Sequence, residues 1–273
     1  MSPNMAFRDT IGSTNSSGHW YDQTGARIET VTGAKGQQVK PTVVHARKLE
    51  LVPGVTTILR AANREALNTY REQQILAAVK ANPQRPSEPD SDWFTRVLDA
   101  SHEHASSAAD LGGELHARIE AGLPDPTCED PVVLSALAEL DRAVPGGRFA
   151  WLCEHPTVSR YGYATRADLW HPGSRCLIDV KSKIGPLAEQ SIWPDHAAQL
   201  AATAASLLPD VPLREIRCAI LFVRRDAVES RLVPVDSGDT ETGWLCFRHL
   251  LAYWQARNRA RPSWAVPVFP SVS

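Results

Sequence analysis

The chain has 273 residues, a composition ordinary for a globular protein and a formal net charge of −2. Such a length buries a substantial core, and such a composition excludes a disordered or fibrous chain. Near-neutral charge argues against an indiscriminate polyanion binder, although an acidic metal site can offset basic contact surfaces.

Residues 1–18 are polar and rich in Ser, Asn and Gly, which predicts a loose tail. "HWYDQTGARIETV" reads as strand, turn, strand around Gly25, and "TVVHARKLELVPGVTTILR" as a strand leading into a helix. Helical content over 64–80 ends at the loop "ANPQRPSEPDSD". From Trp93 to Ala121 apolar residues recur at steps of three or four, predicting a helix that Gly112-Gly113 interrupts. Another helix covers about 130–144 and stops at Pro145-Gly146-Gly147. Strands follow near 148–154, 162–170 and 176–182. Asp195 is placed to cap the helix "HAAQLAATAASLL". "IRCAILFV" is a buried strand, "ESRLVPV" a weaker one, and 240–258 a last helix. The expected fold is α/β (α+β-like), a mixed central sheet flanked by helices.

Two aspartates stand inside the strand pair "RADLWHPGSRCLIDVKSK". A tight turn on Gly173-Ser174 brings Asp168 opposite Asp179 and Pro172 opposite Arg175. Directly opposed residues hold their β-carbons about 4.5–5.5 Å apart, so the carboxylates repel unless a cation lies between them. Alternation groups Asp179 with Lys181 on one face and Ile178 with Val180 on the other, where they anchor a core. A longer loop would offset the aspartates but leave that grouping intact.

Two helices add polar groups. His116 and Glu120 are four apart and share a helix face beside Leu111, Leu115 and Ile119. Taken alone, His116 reads as a structural or solvated histidine. His196, Gln199 and Thr203 form a stripe on an alanine-rich helix. That stripe edges a site if the helix packs on the sheet; otherwise it faces water.

The order of these pieces resembles the PD-(D/E)XK nuclease superfamily, in its RecB-like and phage-exonuclease branch. It runs G-x-x-x-H-x-x-x-E (Gly112, His116, Glu120), then the Asp168 strand, D-V-K (Asp179, Lys181), and "AAQLAAT" with Gln199, after a "LVPGVTTIL" leader. The resemblance implies a restriction-endonuclease-like core and a catalytic set of Asp168, Asp179, Lys181, His116 and Gln199. Asp168, Asp179 and His116 would hold Mg²⁺ or Mn²⁺, with Glu120 and Glu154 as candidates for a second ion. Lys183, Arg166, Arg224 and Arg225 are the expected DNA contacts. Two positions depart from the family pattern: Ala164-Thr165-Arg166 stands where "AGT" is frequent, and Thr203 where a tyrosine is frequent.

The implied domain spans 19–273, with an N-terminal hairpin and helices over 19–145, a catalytic core over 110–235 and the helix at 240–258. The implied activity is metal-dependent DNA hydrolysis, as an exonuclease acting on ends in recombination, replication or repair. A single-strand annealing or recombination protein is the candidate partner. The five cysteines, at 128, 153, 176, 218 and 246, include no CxxC pair, so no iron–sulfur cluster is expected. No apolar run reaches membrane length and no basic-then-apolar leader opens the chain, so the expectation is a cytoplasmic protein without a membrane partner. The alternatives are a non-cleaving nucleic-acid binder of this fold, a structure-specific endonuclease and a structural protein. Asp99, His102, His104 and Asp110 invite a zinc reading, but histidines two apart on a helix diverge.

Overall fold

The computed structural model describes residues 18–62 and 65–269, with the side chains of 65–67, 70 and 102–110 outside that description. The tail expected at 1–18 therefore lies outside the described residues but for Gly18, as do the side chains of His102, His104 and Asp110. In chain order the elements are β1 (Trp20–Tyr21), β2 (Val31–Thr32), β3 (Gln38–Val39), α1 (Val43–Leu49), β4 (Val52–Pro53), α2 (Val55–Leu59) and α3 (Glu65–Ala81). Then come α4 (Asp90–Gly122), α5 (Pro131–Ala143), β5 (Leu152–Ser159), β6 (Tyr163–His171), β7 (Cys176–Lys183), α6 (Pro194–Leu207), β8 (Arg217–Arg224), β9 (Ser230–Val235) and α7 (Ser237–Asn258).

The main sheet has the order β5-β6-β7-β8-β9 and is antiparallel except for the parallel β7–β8 pair. A parallel neighbour requires a crossover, which α6 supplies. One face carries α4 and α5: Ile178 and Val180 pack there with Leu115, Ile119, Leu137, Leu140, Leu221 and Val223. On the other face Leu177, Ile220 and Phe222 meet Leu200 and Ala204 of α6. The far side of α6 meets α7, where Ala198 and Ala202 join Phe247 and Leu251. Alanines and Gly243 let these two helices approach closely: a β-carbon on Gly243 would lie 2.7 Å from the Ala197 carbonyl carbon.

Several expected boundaries shift. Residues 43–49 form a helix, not a strand, although two valines open it. The Thr42 N–H donates to His45 Nδ1, and Arg47 and Lys48 occupy the last turn, where cations favour the helix dipole. α4 runs unbroken through Gly112-Gly113. A β-carbon on Gly112 would meet Ser182 Oγ of β7 at 3.2 Å, whereas one on Gly113 would meet nothing within 4 Å. β5 starts at Leu152, because Arg148–Ala150 forms a short 3-10 turn. α6 starts at Pro194, and the Trp193 N–H is taken by His196 Nδ1, so Asp195 falls inside the first turn. α7 begins earlier than expected, at Ser237, capped by the Asp236 carboxylate accepting from the Gly238 N–H.

Between β6 and β7 the expected register holds through Leu169↔Ile178, Trp170↔Leu177 and His171↔Cys176. The turn Pro172–Ser174 is 3-10, and Arg175, not glycine, takes the left-handed conformation at φ 49°. Pairing stops before Asp168 and Asp179. β7 continues along β8 as far as Lys183↔Arg224, so β6 and β7 part into a fork.

Candidate metal centre

Asp168 sits at that fork, and its Oδ2 accepts the Val180 N–H at 2.8 Å, in place of a strand carbonyl. Opposite it on β5 lies Glu154, skipped by a ladder that pairs Cys153 with Leu169 and His155 with Ala167. Glu154 has φ 46°, a conformation that costs a non-glycine residue on the order of 1–3 kcal/mol. This irregularity coincides with a carboxylate Oε1 placed 4.0 Å from His116 Nδ1. From α4, His116 brings Nδ1 to 3.8 Å from Asp168 Oδ2 and Nε2 to 3.0 Å from the Val180 carbonyl oxygen.

A carbonyl only accepts, so Nε2 carries a proton, and in the neutral ring Nδ1 turns a lone pair toward two carboxylates. Such a group of acceptors could hold a cation. One donor atom from each of His116, Glu154 and Asp168 lies within 4.8 Å of the others. Metal–oxygen bonds of about 2.0–2.1 Å set ligand atoms at most about 4.2 Å apart, and the two histidine distances fall inside that limit. A cavity of ≈ 10 Å³ lies among His116, Ile119, Glu120, Glu154, Asp168, Leu169 and Val180, room for one water-sized sphere. Two carboxylates and an imidazole are compatible with a divalent ion. The residues present therefore fit a metal ion.

Burial, then the neighbouring charge of Asp179, pushes the Asp168 carboxyl well above the usual carboxylate range. Glu154 adds to this, while Lys181 and the Val180 N–H oppose it. Without an ion, Asp168 holds a proton more firmly than an exposed aspartate does; a bound dication reverses that preference.

Asp179, Lys181 and Gln199 form a second group, on the α6 face of β7. Gln199 Nε2 donates to Asp179 Oδ1 at 2.7 Å, and Lys181 Nζ donates to Gln199 Oε1 at 3.3 Å. The ammonium lies 2.8 Å from Asp179 Oδ2, an ion pair without hydrogen-bond alignment. The two aspartates are thus divided between neighbouring groups, Asp168 with His116 and Glu154, Asp179 with Lys181 and Gln199. Glu154, expected at a second ion, stands in the first group. Glu120 is exposed and lines the cavity wall.

The polar stripe of α6 faces the sheet, not water. Thr203 donates to the Gln199 carbonyl and accepts from Thr165 at 3.0 Å, both threonines buried. Thr165 of β6 and Thr203 of α6 therefore meet each other. His196 is held neutral near pH 7: burial, then Lys181, lowers its pKa to about 4.

Of the expected DNA contacts, Arg166 is exposed and pairs with Glu154 at 3.1 Å. Lys183 is half-buried, with Nζ 5.6 Å from the Phe222 ring centroid; burial, then Lys181, lowers its pKa. Arg224 pairs with Asp226 and Glu229, each at 2.9 Å, and the Arg225 N–H donates to the Lys183 carbonyl. The arginines clustered in sequence do not share one partner, since Arg217 reaches the Ala143 carbonyl and Arg231 that of Leu187.

Two features of the site carry no sequence signal. Val180 contributes through its backbone N–H and carbonyl, which any residue between Asp179 and Lys181 would supply. Glu154 contributes through a backbone conformation that glutamate seldom adopts.

A scan against protein-family models finds no match to this chain, and a search of curated proteins finds none. Among the described residues no helix is long and apolar enough to cross a membrane.

Proposed function

We propose that this chain is a divalent-metal-dependent deoxyribonuclease with a restriction-endonuclease-like core, and that it removes nucleotides from DNA ends. One observation carries the reading: a His116–Glu154–Asp168 cluster, able to hold an ion, adjoins the Asp179–Lys181–Gln199 group across the β6–β7 fork. The parallel β7–α6–β8 unit carries Asp179, Lys181 and Gln199, while α4, β5 and β6 carry His116, Glu154 and Asp168. A bound ion would supply Lewis-acid activation of the scissile phosphate and of the attacking water.

The remaining work falls to the residues. Asp168 and Glu154 furnish negative charge that selects a dication, and the Nε2–H contact with Val180 keeps His116 oriented toward them. Lys181 orients the attacking water and offsets charge that grows on the phosphate oxygens. Gln199 and Asp179 hold the Lys181 ammonium at that position. A binding-only protein has no use for a lysine locked between a carboxylate and an amide beside a metal cluster.

End dependence rests on the phage-exonuclease-like motif order, with the "VPGVTTIL" leader and the G-x-x-x-H-x-x-x-E helix, and on the net charge of −2, which provides no broad grip on internal duplex. The test compares an end-labelled linear duplex with a covalently closed circle of the same sequence, in Mg²⁺ and in Mn²⁺. The linear DNA is expected to be degraded and the circle spared. Equal cleavage of both would replace the exonuclease with an endonuclease, and cleavage of neither would remove the nuclease reading.

A further inference from the structure

We propose that Trp193 is a stacking platform for an unpaired nucleobase beside the scissile phosphate, so that the preferred substrate is a DNA strand whose end is unpaired. This rests on the nuclease reading and extends it to substrate class.

Of the eight tryptophans, Trp193 is the one with an exposed side chain, 47% accessible, while the others are buried or half-buried. Its ring lies over the His196 ring at an interplanar angle of 25° with centroids 6.4 Å apart. His196 in turn leans on Phe222, centroids 6.4 Å apart, and Phe222 is the β8 partner of Lys181. The Trp193 N–H to His196 Nδ1 bond fixes the histidine ring beneath the tryptophan. A line of aromatic rings therefore runs from the reacting lysine out to solvent, with the Lys183 ammonium over Phe222 at its side.

Trp193 precedes Gln199 by six residues, and each helical residue rises about 1.5 Å, so their backbones stand roughly 9 Å apart along the α6 axis. That is the reach of one or two nucleotides. An exposed aromatic face at the solvent end of a line that passes the Lys183 ammonium suits a base and its phosphate, and a base offers that face only when unpaired. Nothing in this arrangement reads base edges, so the preference is for unpaired ends whatever their sequence.

Binding and cleavage test this separately. The binding probe is a short single-stranded oligonucleotide with 2-aminopurine as its terminal base, in Ca²⁺. Wild type is expected to quench its fluorescence by stacking. Trp193→Ala, which keeps the backbone N–H that holds His196, is expected to lose the quench and bind on the order of tenfold more weakly. Trp193→Phe should recover most of both. In Mg²⁺, wild type should cut a mismatched end faster than a fully paired end, and Trp193→Ala should flatten that ratio. Unchanged quenching and affinity in Trp193→Ala would overturn the platform. If wild type cuts no DNA, the nuclease reading fails, and the fluorescence arm still decides whether the platform exists.

Discussion

Asp168 is the residue whose energetics depend most on what occupies the centre. Its folded-state pKa is raised by burial and by Asp179, so between its unfolded pKa near 3.9 and its folded pKa the folded chain holds the proton more tightly. Stability of the metal-free protein therefore falls as pH rises through that window. Melting in EDTA from pH 4 upward should show this decline. Asp168→Asn should remove its part of it and raise metal-free stability near neutral pH by about 0.5–3 kcal/mol. A metal-free pH profile identical in wild type and variant would contradict the assignment. Lys181 makes a different prediction, because an ammonium is not a ligand. Lys181→Ala should lower single-turnover cleavage on the order of 10²–10⁴-fold while calorimetry still detects Mn²⁺ binding. Lost Mn²⁺ binding with cleavage retained would be the opposite result.

At the scale of elements, β7 was the most legible part of the chain. Period-two alternation put Ile178 and Val180 into the core and Asp179 and Lys181 onto the other face, and the structure has that arrangement. The polar stripe of α6 was legible as a stripe, but its direction depends on packing between β7, β8 and α7 that no local pattern encodes. The fork at Asp168 was invisible for a similar reason. Turn chemistry fixes where a hairpin starts, while its end is set by β7 staying with β8 and leaving β6. Residues 43–49 misled because β-branched valines favour strands, and a capped turn overrode that preference. The α6–α7 contact is directly testable with two glycines. Gly243→Ala forces a β-carbon against the α6 backbone and should destabilise by about 1–3 kcal/mol, disturbing Gln199 along with it. Gly113→Ala, inside α4 with open space around it, should instead stabilise by about 0.5–1 kcal/mol. Denaturant midpoints for the two variants should move in opposite directions.

Across the whole molecule, the candidate centre draws on five elements: α4 for His116, β5 for Glu154, β6 for Asp168, β7 for Asp179 and Lys181, and α6 for Gln199. An ion bound by His116, Glu154 and Asp168 ties α4 to strands β5 and β6 of the sheet. Ligand linkage then makes the ion a stabiliser of the entire fold, worth about 2.7 kcal/mol at a hundred times Kd. The motif order pointed to these residues, but Glu154 entered the first cluster only through its backbone, and the Val180 contacts only through the fork. The most direct test is a Mn²⁺ titration of DNA cleavage by wild type, Asp168→Asn and Asp179→Ala, each first shown to melt cooperatively. The account predicts saturable Mn²⁺-dependent cleavage by wild type, none in EDTA, and none by either variant. Cleavage at the wild-type rate by either variant, or by wild type in EDTA, would contradict it.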